Sequence, residues 1–409
     1  MSPSSARSIA KICSPSSASL THARVDPDFY DEDFLFRLVV YTSAHDFYLG
    51  VIQDVSILPF ESPTPEKILK IRNLQCIAKN GKPAPIRNAP RILSPVYFAD
   101  ESDLERFFPR KKFPERGYLG FVRGTSYSLP LDLDRLCFGN TAILAGIGHG
   151  KSYLAALVVS QLHAIGKRVL VIDPSGEWAT LMNDLKKRLE EYAKIDLTLS
   201  SYDPSLPYPP STIDVESISN FVFEAFEKED LVILDISFAR ANGAEDKLEG
   251  RCHVVYGIQQ SLMKLALSHY ARTKKPYGIP TCIVLEEAHQ FVPSKPLMDI
   301  QRMVSTIFAI STKEYRKFGL GHIFIDQSLK AISEDLQIQT FLLGATTTPG
   351  DLDFMTSRLG KQVVSATQRT IGGAKRSSWV VYGAGTPVTG IPWEIESFAP
   401  DDLVALRET

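Results

Sequence analysis

The chain has 409 residues, 44% of them hydrophobic, and a formal net charge of −2; this supports two or three packed domains and excludes a uniformly basic nucleic-acid coat. Cys13, Cys76, Cys137, Cys252 and Cys282 are scattered without C-x-x-C or Cys/His spacing, which argues against zinc and for free thiols in a reducing, cytoplasmic setting. No apolar run reaches the ~18 residues needed to cross a bilayer, so no membrane insertion is expected.

Residues 1–24 are rich in Ser and Ala, carry Arg7, Lys11 and Arg24, and contain no acid before Asp26. Residues 1–32 are therefore expected to form a disordered or flexible arm, although organelle transit peptides have a similar composition. Residues 33–130 read as a small β-barrel domain. Runs such as Phe36–Tyr41 and Tyr48–Ile52 are cut by Pro, Asn and Gly turns, and one helix is expected over Ser102–Phe108. Arg110-Lys-Lys112 is a local basic cluster, either a solvated face, as such clusters usually are, or a contact for nucleic acid or an acidic partner.

Residues 131–409 change pattern. Ala142–Leu144 is a short apolar strand that breaks into Ala145-Gly-Ile-Gly-His-Gly-Lys-Ser152. Glycines 146, 148 and 150 let the backbone form a nest of N–H donors, Lys151 can reach terminal phosphates, and the Ser152 hydroxyl can hold Mg²⁺. The pattern G-x-x-x-x-G-K-[ST] asks for Gly where Ala145 stands, its least demanding position. Leu154, Leu157, Val158, Leu162 and Ile165 then recur at helical spacing, predicting an amphipathic helix stopped by Gly166. The segment Gly146, Ile147, Gly148, His149, Gly150, Lys151, Ser152 and Tyr153 is expected to line a nucleotide.

Further apolar strands are predicted at Val169–Ile172, Leu231–Ile236, Cys282–Leu285, His322–Asp326, Phe341–Leu343 and Trp379–Tyr382, with helical stretches between them. This is an α/β pattern, a doubly wound and mainly parallel sheet whose ligands sit at the carboxyl ends of strands. Thr281–Leu285 delivers Glu286 and Glu287 to that end. Glu286 is placed to meet Mg²⁺ through water, and Glu287 to orient and deprotonate the water that attacks a γ-phosphate. His289 reads as a structural hydrogen-bonder.

Asp173-Pro-Ser-Gly-Glu-Trp178 resembles the Asp-Pro-His-Gly-Glu-aromatic element of HerA-type ATPases. Leu234-Asp-Ile-Ser237, Glu286-Glu-Ala-His289, Tyr315-Arg-Lys-Phe-Gly319 and Gln327 resemble that family's later landmarks in order. The resemblance implies a RecA-like P-loop NTPase core after the barrel. It further implies a homo-hexamer of the HerA/FtsK group that binds ATP and Mg²⁺ between subunits and passes double-stranded DNA through the ring. By the same resemblance, Arg316 would be the finger reaching a neighbour's γ-phosphate, with Lys317 the second candidate. Gln327 would sense that phosphate, and Glu177 would be a supporting carboxylate. Asp173 is either a lesser member of the site or a helix cap. Ile147 and His149 depart from the family's loop, and their side chains are expected to point away from the nest.

Thr346–Asp351 and Gly372–Ser378 are small, flexible and locally basic, as a ring lumen or a plain solvent loop would be. The family works with a NurA-like nuclease in DNA end processing or with other effectors in antiphage defence. A nucleotide-gated ring scaffold and a packaging or conjugation motor are the alternatives.

Overall fold

A computed structural model describes residues 7–13, 16–43, 46–58, 66–86, 89–109, 116–190, 200–202, 215–237, 244–276, 281–345, 349–372, 378–399 and 402–403. The chain divides into two units, one of residues 1–110, 121–129 and 392–394, the other of residues 111–120, 130–391 and 395–409. Arg110-Lys-Lys112, most of Gly372–Ser378 and the threonines of Thr346–Asp351 lie outside the described residues.

In the first unit, alternation of apolar and polar residues builds β1 (Ala10–Cys13), β2 (Leu20–Val25), β3 (Leu38–Ser43), β4 (Asp46–Leu58), β5 (Glu66–Ile77), β6 (Pro83–Ala84) and β7 (Pro95–Phe98). The order is β2-β1-β7-β3-β4-β5, and β2 pairs back onto β5 to close a six-stranded barrel, with β6 added beside β5. Ile12, Ala23, Val39, Tyr41, Leu69 and Ile71 fill its interior.

The strands β1 and β2 correct the expectation of a flexible arm over residues 1–32. They pair with each other and complete the barrel. Each is short and shows solvent on alternate residues, so Lys11, His22 and Arg24 dilute the apolar signal. One inward position is itself polar: buried Thr21 donates to Asn73 Oδ1 at 3.1 Å, Tyr41 also donates to that oxygen, and Asn73 Nδ2 donates to the Ala18 carbonyl at 2.9 Å. The predicted helix forms as α1 (Glu101–Phe107), one residue early, because Asp100 and Asp103 make a reciprocal capping box.

Next in the chain come β8 (Gly117–Val122), β9 (Ser128–Leu131) and α2 (Leu133–Phe138). The second unit continues with β10 (Thr141–Leu144), α3 (Lys151–Ala164), β11 (Arg168–Asp173), α4 (Trp178–Arg188), β12 (Ser200–Tyr202), α5 (Val215–Phe226), β13 (Leu231–Asp235), α6 (Ala244–Thr273) and β14 (Thr281–Leu285). After these come α7 (Asp299–Glu314), β15 (Leu320–Asp326), β16 (Thr340–Leu343), α8 (Pro349–Leu359), α9 (Lys361–Gly372) and β17 (Ser378–Gly383). Its sheet runs β12-β13-β11-β14-β15-β10-β16-β17, parallel throughout except for antiparallel β17.

Two features of this sheet position the site. One strand, β15, separates β10 from β14, so the loop after β10 and the acids after β14 start about 10 Å apart at the same sheet edge. Helix α3 is also buried over Leu154–Leu162 without interruption. The expected amphipathic helix is thus a core helix, which fixes the loop before it on a rigid support. No helix among the described residues is long and apolar enough to cross a membrane.

Candidate active site

The loop after β10 is held at its entry by two strand neighbours. Ala145 N–H donates to the Asp326 carbonyl at 3.2 Å, and Gly146 N–H donates to the Ala345 carbonyl at 2.9 Å. Ala145 is tolerated where the motif asks for Gly because Gly344 faces it; a Cβ at residue 344 would lie 2.7 Å from the Ala145 methyl. Gly148 and Gly150 turn the chain with φ of 74° and 79°. A Cβ on Gly148 would meet nothing within 4 Å, so backbone sign and not space demands glycine there. Gly150 caps α3 with no side-chain acceptor, leaving first-turn N–H groups for an anion. Ile147 is 83% exposed and His149 is half-buried.

Across β15, the two glutamates meet the loop. Lys151 Nζ lies 3.4 Å from Glu287 Oε1, and Ser152 Oγ donates to Glu286 Oε1 at 3.2 Å. Trp178 Nε1 donates to the other oxygen of Glu286. Glu286 is buried, and that burial pushes its carboxyl up to about 7; the charges of Asp173 and Glu287 add to the rise, while Lys151 and the Ser152 hydrogen bond oppose it. Ser152 and Glu286 are the pair that could hold a divalent cation. Among the described residues no group of three or more His, Cys, Asp or Glu could hold one alone, so remaining ligands would come from phosphate and water.

The raised Glu286 carboxyl has a measurable consequence. A carboxyl held above its ordinary value favours its neutral form in the fold, so the cost of ionising it is absent below about pH 4.5 and fully present above about pH 7. In chelator and without nucleotide, the thermal midpoint should fall from pH 5 to pH 8, corresponding to roughly 3 kcal/mol for a shift of this size. His289, raised mainly by its hydrogen bond to Asp326, loses stability in the same direction as pH rises through its own value. Glu286→Gln should therefore flatten most of the slope and leave the smaller histidine part. An unchanged slope would contradict this assignment.

Glu287 adopts a left-handed backbone, φ 47° and ψ 52°, unusual for a residue with a Cβ. Its carboxylate lies between Lys151 and His289, whose Nδ1 is 3.5 Å from Glu287 Oε2 and 3.0 Å from Asp326 Oδ2. The His289 N–H also donates to Asp326 at 2.6 Å, and the second Asp326 oxygen accepts from the Gln327 N–H at 2.7 Å. Buried Asp326 thus ties the turn bearing Glu287 to the strand end bearing Gln327. Sequence reasoning did not single out Asp326; its signal was an acid ending an otherwise apolar strand.

Asp173 borders this cluster, its charge acting on Glu286, and the other expected members stand apart from it. Asp173 accepts from Ser175 N–H and Oγ, Gly176 N–H and Trp178 N–H at 2.7–2.9 Å, so it organises the turn before α4. Glu177 is exposed at the start of α4. The Tyr153 side chain lines a cavity with α4 residues. Arg316 and Lys317 are exposed on a 3₁₀ turn, Tyr315–Phe318, directly before β15. The Thr281 N–H donates to the Gly319 carbonyl, so this turn lies at the amino ends of β14 and β15. Seven residues of β15, about 20 Å, separate it from the carboxyl-end site of the same chain.

Residues 117–274 match the family model described as helicase HerA, central domain. The chain is 30% identical over 166 residues to the probable helicase MJ1565 of Methanocaldococcus jannaschii, an alignment covering 39% of this chain and 32% of that protein. The chain thus spans about a third of the length of this curated relative. Among solved structures it is similar to VirB4 of Thermoanaerobacter pseudethanolicus, with 16% identity, 71% of this chain and 98% of that one covered, and a TM-score of 0.44. It is also similar to the genome packaging NTPase B204 of Sulfolobus turreted icosahedral virus 2, with 13% identity, 63% and 97% covered, and a TM-score of 0.38.

Proposed function

We propose that this chain, whose residues 117–274 carry a HerA-type central domain, is an ATP-hydrolysing motor that works on double-stranded DNA as a homo-hexamer. The observation that carries the reading is the meeting of Lys151 and Ser152 with Glu287 and Glu286 across a single strand. The loop N–H groups and Lys151 bind the phosphates. Lys151 then exchanges its contact with Glu287 for phosphate oxygen, and the released Glu287 carboxylate takes a proton from the attacking water. Ser152 and Glu286 would hold Mg²⁺, which would supply charge neutralisation on the phosphates.

Arg316 and Lys317 lie too far from the site of their own chain to serve it. Their exposure supports a role against a neighbouring subunit, as fingers that offset charge in the transition state. Gln327, held through Asp326, is the sensor on the phosphate side. A ring would multiply modest basic sites on a near-neutral subunit and so grip a polyanion. The partner we infer is a nuclease of the NurA kind or another effector, in DNA end processing or antiphage defence. Five cysteines without a disulfide support a reducing, cytoplasmic setting.

The test is ATP turnover with and without linear duplex DNA, alongside particle mass. DNA should raise turnover several-fold, and the mass should correspond to six chains. Turnover indifferent to DNA, with ATP altering only a partner's activity, would replace the motor by a nucleotide-gated scaffold.

A further inference from the structure

Asp326, the buried last residue of β15, takes no step in the reaction above, yet three pieces of the site hang on it. Its carbonyl accepts the Ala145 N–H at 3.2 Å, at the entry of the phosphate loop. Its Oδ2 accepts twice from His289, the backbone N–H at 2.6 Å and Nδ1–H at 3.0 Å. Its Oδ1 accepts the backbone N–H groups of Gln327 at 2.7 Å and Ser328 at 3.3 Å. A carboxylate only accepts, so this partner assigns the imidazole proton to Nδ1.

These bonds hold a turn that would not otherwise keep its shape. Glu287 stands at φ 47° and ψ 52°, a left-handed conformation that costs a residue with a Cβ free energy and persists only where the surroundings fix it. Within the turn, the Gln290 N–H donates to the Glu287 carbonyl at 2.9 Å. From outside, the turn is held by the two His289 bonds to Asp326. The Glu287 carboxylate is then bounded by Lys151 at 3.4 Å from Oε1 and by the His289 ring at 3.5 Å from Oε2.

We infer that Asp326 and His289 are positioning residues for hydrolysis: through the two His289 bonds, Asp326 keeps Glu287 in its left-handed conformation and so keeps the proposed base aimed at the attacking water. The inference rests on the reading of Glu287 as that base. When Lys151 moves to phosphate, Oε1 loses its partner, and the His289 clamp is what still fixes the turn. Loss of the clamp should slow the chemical step through misplacement of the base. Binding should persist, because the loop N–H groups and Lys151 are untouched.

The experiment measures single-turnover hydrolysis, equilibrium ATP binding and melting temperature for the wild type, His289→Ala, His289→Asn, Asp326→Asn and Glu287→Gln. His289→Ala removes the ring half of the clamp and keeps the backbone half. Asparagine carries its amide nitrogen as many bonds from the backbone as Nδ1, so His289→Asn can restore the bond to Asp326 without the imidazole. His289→Ala should lower the rate by about 10–10²-fold with the ATP Kd within about threefold of the wild type, and His289→Asn should return the rate to within about threefold. Asp326→Asn turns an amide donor toward backbone N–H donors and should lose at least as much. Should that variant fail to fold, the two at His289, whose side chain is 41% exposed, decide alone. A wild-type rate in His289→Ala would overturn the inference. So would His289→Asn as slow as His289→Ala, which would credit the imidazole itself, or a lowered melting temperature in His289→Ala with an unchanged rate per folded chain. Hydrolysis by Glu287→Gln at the wild-type rate would instead remove the base, a failure distinct from an idle clamp.

Discussion

Lys151→Ala is expected to leave a folded chain whose ATP turnover falls by about 10²–10³-fold or more. The side chain of Lys151 is only 9% exposed, yet its ion pair is with Glu287, which is 23% exposed, at 3.4 Å. A pair at such spacing and partial exposure contributes roughly 1 kcal/mol or less to stability, so the thermal midpoint should move little. The functional loss is larger because the ammonium is the one lysine charge buried at the loop, and no neighbouring loop residue can replace it. Ile147 is exposed, and Lys317 lies at the far edge of the sheet. There is a second cost. Lys151 also holds the Glu286 carboxyl down against its burial, so its removal should shift Glu286 further toward the neutral form and weaken any cation at Ser152. Steady-state hydrolysis, equilibrium nucleotide binding and a melt on the same preparation check these outcomes together. Turnover within tenfold of the wild type would remove Lys151 from the site.

Much of this arrangement could be read from the chain because the chemistry sits where apolar strands end. Ala142–Leu144 and Thr281–Leu285 are buried at every position, so their periodicity is uninterrupted, and the residues directly after each strand must emerge at one sheet edge. The harder parts are those where the physical signal is non-local. Ala145 departs from the motif in sequence and is explained only by Gly344, which is distant in sequence and adjacent in space. Thr21 reads as surface and is buried against Asn73 and Tyr41. Helix α3 carries polar Ser160 and Gln161, which suggest a wet face. Both are buried instead, with Ser160 donating to the Ala156 carbonyl at 2.7 Å and Gln161 bonding both to and from the Tyr118 backbone at 2.8 Å. Register decides the rest. Nothing local in the chain says that β15 lies between β10 and β14, yet that neighbour relation brings Lys151 to Glu287 and sends Arg316 to the opposite edge.

Glu287→Gln is expected to bind ATP and fail to turn it over, with a loss of about 10²–10⁴-fold, the range for a missing general base. Glutamine keeps the length and shape of glutamate, so it can occupy the same left-handed backbone site, but its amide accepts no proton from water at neutral pH. Binding should survive for an electrostatic reason. Glu287 is the carboxylate that Lys151 contacts at 3.4 Å, and a neutral side chain there leaves Lys151 with weaker competition against phosphate oxygens. Bound ATP should accordingly dissociate more slowly than from the wild type, which a filter-binding chase would measure beside single-turnover hydrolysis. The same variant tests the finger. Since Arg316 precedes β15 and the site lies beyond its other end, the proposed finger would have to act on another subunit's nucleotide. Mixing Arg316→Ala chains, which retain Glu287, with Glu287→Gln chains, which retain Arg316, should recover part of the lost turnover through interfaces that unite an intact base with an intact finger. A mixture that stays inactive at every ratio would place Arg316 outside the reaction, and a Glu287→Gln chain that hydrolyses ATP at the wild-type rate would require another base.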